Sequence, residues 1–219
     1  MYLVKTPVFV QKLFPKYIWN MPRTAKKTIY LTFDDGPIPE VTPWVLEQLG
    51  HYDAKATFFC VGENVTKHPD LYKEVLEAGH LVGNHTYNHL NGWETDAVAY
   101  FHNVRNGAHV VKSWFFRPPY GRLTPIQSHF LQKHYTIVMW DVLSGDFDQS
   151  ITPQECLNNV LSATKDGSII VFHDNTKAQE NLYYTLPKVL KHYSDMGYIF
   201  DSLAPKIENK KQEKVLFAF

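Results

Sequence analysis

Apolar positions in this chain fall into two recurring patterns. Short continuous runs rich in β-branched and aromatic residues, the signature of strands buried on both faces, alternate with longer stretches whose apolar positions recur at helical spacing. The runs read as strands are Thr28-Ile29-Tyr30-Leu31, Ala56–Val61, His80–Asn84, Trp114–Arg117, Thr136–Trp140, Gly167–Phe172 and Tyr198–Phe200. Helical spacing covers Trp44 to Gly50, Asp70 to Ala78 (stopping at Gly79), Glu94 to Lys112, and Leu182 to Met196. Two further helices open on Thr124-Pro125 and Thr152-Pro153, the second running to Thr164. In each, threonine is the N-cap and proline takes the first turn.

Strand and helix alternate without internal repeats, and right-handed crossover units of this kind build a parallel sheet. The predicted fold is α/β, a distorted (β/α) barrel of about seven parallel strands. Residues 1–27 read as a peripheral arm with a short helix packing under the core, residues 28–203 as the main domain, and residues 204–219 as a mobile Lys/Glu-rich tail. Barrel closure explains a further regularity. Asp34, Asp35, His85, Arg117, Asp141 and His173 all fall at the carboxyl ends of predicted strands. In an α/β barrel that is the face where sites are assembled, and a random scatter of polar residues would not favour it.

Bulk composition narrows the function classes. At 219 residues, with 44% hydrophobic and 20% charged content, the chain suits one domain with a substantial core. Its 22 basic and 22 acidic residues cancel, so no global field favours nucleic acid or an anionic membrane. Cys60 and Cys156 lie far apart in apolar or helical contexts and read as free buried thiols. Met1 to Trp19 is broken by Lys5, Gln11-Lys12 and Pro15-Lys16 and lacks a secretory h-region, which points to a cytoplasmic protein. No stretch approaches the ~18 apolar residues of a membrane span.

The chemistry converges on Thr32-Phe33-Asp34-Asp35-Gly36-Pro37, where a buried run gives way to a turn. Ionised carboxylates there are costly to desolvate unless cations or donors meet them. Alternation along the strand lets Asp34 and Asp35 do different work in one cleft. His85-Thr86-Tyr87-Asn88-His89 brings two imidazoles to a strand-to-loop transition. Two histidines and an aspartate form a common catalytic site for a divalent metal, zinc foremost, with cobalt, nickel or iron as competitors. Arg117 is placed to keep a neighbouring carboxylate ionised, and the double proline Pro118-Pro119 that follows it stiffens a loop whose backbone N–H near Tyr120 can serve as an oxyanion donor. His173, at the end of the most apolar run, is a candidate general acid.

In this order, Thr32-Phe33-Asp34-Asp35-Gly36, His85-Thr86-x-x-His89, Arg117-Pro118-Pro119-Tyr120, the Asp141–Phe147 segment and the strand ending in His173 resemble the polysaccharide deacetylases (NodB-homology, carbohydrate esterase family 4). The likeness runs from about Thr28 to Leu203. It implies a distorted (β/α) barrel and metal-dependent removal of N-acetyl groups from amino sugars. By the same resemblance Asp34 is the general base, Asp35, His85 and His89 are metal ligands, and Arg117 orients Asp34. The Tyr120 backbone helps bind the oxyanion, and His173 protonates the leaving amine. One segment departs from the pattern: Leu143 stands where an Asp is frequent, and Phe147 where the family closes on Trp. The acidic partner of His173 then comes from Asp141 or Asp146, and proximity to the strand end favours Asp141.

The expected activity is deacetylation of N-acetylglucosamine-containing glycans or oligosaccharides, chitin-like or peptidoglycan-like. A hydrolase of another non-peptide C–N bond would use the same base, metal and acid. A silent carbohydrate-binding module would need a broken catalytic position, and none is broken. The expected partner is an N-acetylated amino sugar, with neither nucleic acid nor membrane.

Overall fold

The computed structural model describes residues 2–23 and 25–203; the tail lies outside the described residues. Elements follow in the order α1 (Val8–Leu13), β1 (Thr28–Asp34), α2 (Thr42–Gly50), β2 (Ala56–Cys60), α3 (Gly62–Lys67), α4 (Pro69–Glu77), β3 (Leu81–Asn84), α5 (Ala97–Val110), β4 (Phe115–Phe116), a 3₁₀ turn at Pro119–Gly121, α6 (Pro125–Leu131), β5 (Thr136–Ile137), β6 (Val142–Leu143), α7 (Pro153–Ala163), β7 (Ile169–His173), α8 (Gln179–Asp195) and β8 (Ile199–Phe200). Seven strands lie in the order β5-β4-β3-β2-β1-β7-β6, and β8 pairs with the start of β1. Every strand pairing is parallel.

Both Thr-Pro helix starts form as predicted. Thr124 and Thr152 each cap their helix in a full capping box, with Gln127 and Glu155 reaching back. The helix predicted from Leu182 begins earlier, at Gln179, and carries Pro187 in its interior. Unforeseen by pattern, α3 follows β2 directly at Gly62. A Cβ there would meet the Tyr87 ring at 2.9 Å and the Gly107 Cα at 3.0 Å, so a pair of glycines lets α3 and α5 close on the histidine loop.

The run predicted as one strand, 136–140, behaves differently. Its first residues pair with β4, and the Val138 N–H donates to the Phe116 carbonyl at 2.9 Å. The chain then crosses to the far edge, where β6 pairs with β7. β5 and β6 are thus two ends of a single extended stretch that bridges the open side of the curled sheet. The N-terminal arm lies along this seam. The Ile18 N–H donates to the Ile137 carbonyl at 2.9 Å, the Leu143 N–H to Val4 at 2.8 Å, and the Met21 N–H to Gly167 at 2.8 Å.

The main core fills the space between β1, β2, β7 and the helices α2, α7 and α8, with Phe33 stacked between Phe58 and Phe172. A second cluster joins Trp19 of the arm to Tyr100, Phe116, Leu131 and Ile137. Both cysteines are buried and free, as expected. Among the described residues no helix is long and apolar enough to cross a membrane.

His80 is built into this core as a neutral ring. Its Nδ1 accepts the Ala56 N–H at 3.2 Å, and burial, with a smaller contribution from Lys55, lowers its pKa to about 4. The unfolded imidazole titrates near 6.5, so the unfolded chain holds the extra proton between those values. The contribution of His80 is therefore intact above pH 6.5 and is lost as pH falls toward 4. Urea unfolding at pH 7 and pH 4.5 should show wild type losing about 2 kcal/mol more than His80→Gln; equal losses would refute this role.

Candidate active site

Strand register brings the predicted residues to one level. Asp34 on β1 lies opposite His173 on β7, and Asn84 on β3 opposite Phe116 on β4, so His85 and Arg117 emerge side by side. At these strand ends opens a cleft of about 780 Å³ whose walls include Asp34, Asp35, His85, His89, Tyr120, Trp140, Leu143, Phe147 and His173. Tyr2, Leu3, Thr6, Pro7 and Val10 of the arm complete one side.

Arg117 is fully buried and makes an ion pair with Asp34, donating from Nη1 to Oδ1 at 2.7 Å. The same nitrogen donates to Thr32 Oγ1, while Nε and Nη2 donate to the Val138 and Met139 carbonyls. Its guanidinium lies 4.1 Å from the Phe59 ring centroid. Burial lowers the Arg117 pKa and Asp34 works against that shift. An arginine so fully bonded stays charged and holds the carboxylate in one orientation.

Asp35, His85 and His89 form the one group among the described residues that offers three metal-ligating atoms close together, all within 4.8 Å of one another. Asp35 Oδ1 is 3.6 Å from His85 Nε2 and 3.1 Å from His89 Nε2. Tetrahedral bonds of ~2.0–2.2 Å require ligand separations of roughly 3.4 Å. The Nδ1 of His85 meets the Arg117 carbonyl at 2.7 Å. A carbonyl oxygen only accepts, so Nδ1 carries the proton and Nε2 presents its lone pair. Burial, dominant over the nearby acids, lowers the His85 pKa to about 4 and keeps the ring neutral. Burial alone would raise the Asp35 pKa, but His89, His173 and His85 together hold it well below the carboxylate range.

Asn175 Nδ2 donates to Asp35 Oδ2 at 2.6 Å, whereas Oδ1 is buried without a hydrogen-bond partner. An orphaned carboxylate oxygen facing two imidazole nitrogens fits a divalent cation. Backbone strain is concentrated here too. Asp35, Thr86, His89 and Tyr120 all have positive φ, at 86°, 65°, 59° and 58°. Each such residue costs ~1–3 kcal/mol and persists only where its surroundings fix it.

His173 corrects one expectation. Its Nδ1 donates to Asp146 Oδ1 at 2.8 Å, and its backbone N–H donates to Asp146 Oδ2 at 2.7 Å. Asp141, the residue favoured by sequence, instead accepts from Lys5, Ser168 and the Ile169 N–H, and so braces the seam and the arm. Proximity to the strand end misled because the chain crosses the seam between Val138 and Asp141, which turns Asp141 away from the cleft. Burial lowers the His173 pKa, but Asp146 outweighs it, with help from Asp35 and Asp34, and raises it to about 9.

Two residues that pattern reading passed over, Asp174 and Asn175, follow His173 directly. Asp174 accepts from the Gly36 N–H at 3.0 Å and from Thr42 Oγ1 at 2.6 Å. Burial, opposed by these bonds, raises its pKa to about 8. A Cβ at position 36 would collide with this carboxyl group, so Gly36 is what permits the contact. The only signal in sequence was their position next to His173.

The family model for polysaccharide deacetylase matches residues 22–134. The chain belongs to the polysaccharide deacetylase family. It is 32% identical over 199 residues to a peptidoglycan-N-acetylglucosamine deacetylase of Bacillus cereus, covering 88% of this chain and 93% of that one. The crystal structure of the Bc1960 peptidoglycan N-acetylglucosamine deacetylase, in complex with a naphthyl-substituted N-hydroxybenzamide, superposes with a TM-score of 0.81 at 30% identity, over 90% of this chain and 95% of that one. A family 4 acetyl xylan esterase from Clostridium thermocellum, in complex with a cobalt ion, gives 0.74 at 27% identity, over 81% and 88%. These likenesses agree with the curled parallel sheet, and one of these solved neighbours holds a cobalt ion.

The His173 environment can be tested directly. In metal-free protein the His173 ring should titrate by NMR at about 9. Asp146→Asn should bring that value down toward the ordinary 6.5, and Asp141→Asn should leave it in place. The reverse pattern would restore Asp141 as the partner.

Proposed function

We propose that this protein is a metal-dependent N-deacetylase acting on N-acetylglucosamine-containing glycans. The observation that carries the reading is the orphaned Asp35 Oδ1 facing His85 and His89, flanked on one side by an Arg117-bound carboxylate and on the other by an Asp146-bound histidine. Asp35, His85 and His89 would hold the cation, and zinc suits two neutral imidazoles and one carboxylate best, with cobalt next. The bound cation supplies Lewis-acid polarisation of the acetyl carbonyl and makes a water molecule more acidic.

The remaining chemistry belongs to side chains. Asp34, oriented by its bond from Arg117, takes the proton from the attacking water. Tyr120, held at φ 58° by the double-proline turn, directs its backbone N–H toward the developing oxyanion. His173, protonated at neutral pH by its pairing with Asp146, gives its proton to the leaving nitrogen. Base and acid are thereby separated into different electrostatic surroundings, as two-step proton transfer requires. Since the protonated ring is the working form of His173, turnover should decline as pH rises through its pKa.

Acetate release from N-acetylated chitooligosaccharides and peptidoglycan fragments, with metal content measured in parallel, tests the reading. Chelation should abolish release, and zinc or cobalt should restore it; full activity after complete metal removal would refute it. Asp34→Asn should retain the metal and lower kcat by ~10²–10⁴-fold. Unchanged turnover would exclude Asp34 as the base.

A further inference from the structure

Zero net charge conceals a strongly uneven distribution. Residues 1–27 carry six basic side chains and no acid, and residues 97–140 carry five basic side chains and no acid. The two segments meet in the second core cluster and through Tyr17, whose hydroxyl donates to Ser128 Oγ of α6 at 2.6 Å. Several of these cations are internally matched, Lys5 by Asp141, Arg117 by Asp34 and Arg122 by Glu94. Lys12 and Lys16 form no ion pair among the described residues and are exposed.

The same segment concentrates exposed apolar side chains. Of twelve large hydrophobics exposed among the described residues, five (Leu3, Val8, Phe9, Leu13 and Phe14) fall within its first fourteen positions. At ~100° per residue, Val8, Phe9, Lys12 and Leu13 share one outward arc of α1, while Val10 turns inward to the cleft wall. Phe9 and Leu13 are 66% and 68% exposed, a costly arrangement in water unless a partner covers them.

We propose that this face of α1, with Val8, Phe9, Leu13 and Phe14 flanked by Lys12 and Lys16, docks the protein on an anionic lipid bilayer surface. Lysines paired with protruding apolar side chains suit an interface with negative headgroups above acyl chains. A soluble polyanion would leave the apolar side chains unsatisfied. A second copy is disfavoured by size, because a six-residue helix offers far less than the roughly 800 Å² per partner of a stable interface. Docking would hold the cleft beside the bilayer, since Leu3, Pro7 and Val10 continue from this face into the cleft wall.

The test is co-sedimentation of the full chain with phosphatidylcholine vesicles containing about a third phosphatidylglycerol, at low and high salt. Wild type should bind at low salt and bind weakly to phosphatidylcholine alone. Lys12→Gln with Lys16→Gln should weaken binding about thirtyfold. Phe9→Ser with Leu13→Ser should weaken it at least ~10-fold. Circular dichroism and turnover of a soluble chitooligosaccharide should be unchanged in both variants. Wild type remaining in the supernatant would overturn the proposal, as would vesicle binding that survives Phe9→Ser with Leu13→Ser. So would binding to soluble polyphosphate as tight as to vesicles. Dimerisation without lipid, abolished by the apolar substitutions, would identify a second copy as the occupant instead.

Discussion

The site and the barrel seam depend on one buried side chain. Where the stretch 136–143 leaves β4 for β7, the Val138 and Met139 carbonyls have no strand beside them to supply a donor. Arg117 supplies both donations and spends its remaining capacity on Thr32 and Asp34. A buried carbonyl without a donor costs ~1–3 kcal/mol, and a buried carboxylate left unpaired costs ~3–5 kcal/mol. The guanidinium therefore meets an architectural need and a chemical one together. Its own carbonyl accepts from His85, so the residue that orients the carboxylate also fixes the tautomer of an imidazole facing Asp35. Lysine has one compact charge and could not span these directions.

Around this node the titrating groups are driven apart. Asp35 is pushed down by three histidines, His85 is kept neutral by burial, His173 is pulled up by Asp146, and Asp174 is raised by burial despite two donors. All four lie within a few residues of the same strand ends, so proximity alone does not set their states. The differences come from which partner each meets. Asp146 gives His173 a full carboxylate, whereas Arg117 gives His85 only a carbonyl. Asp174, largely neutral near pH 7, can sit behind Gly36 without adding a third negative charge to the Asp34-Asp35 pair.

Much of this was legible in the sequence because it follows from strand direction. Once seven runs are read as parallel, residues at their carboxyl ends must share a face, and Asp34, Asp35, His85, Arg117 and His173 do. The Thr-Pro caps were legible because capping is local. What escaped was set by chain paths that no local pattern encodes. Thr136–Trp140 has strand composition throughout, yet its second half serves a different neighbour. Asp141 looked like the partner of His173 because it stands nearer a strand end, while Asp146 reaches the ring only because the loop after β6 folds back. The close approach of α3 to α5 rests on Gly62 and Gly107, forty-five positions apart.

The same crossing explains how the chain accommodates Phe147 where its family resemblance calls for tryptophan. Phe147 packs edge-on against the His173 ring, with centroids 5.2 Å apart, but is smaller than an indole. Tyr2 fills behind it, its ring centroid also 5.2 Å from that of Phe147. Gly145 admits this arrangement on two counts: its φ is +80°, and a Cβ there would lie 2.6 Å from the Tyr2 hydroxyl. Tyr2 can reach this position because Val4 and Lys5 are bonded along β6, and they are bonded there because β6 is an edge. The break that divides one strand into β5 and β6 thus creates the edge on which the arm docks. The arm in turn supplies the ring that backs Phe147 against His173, so the first residues of the chain belong to the architecture of the site.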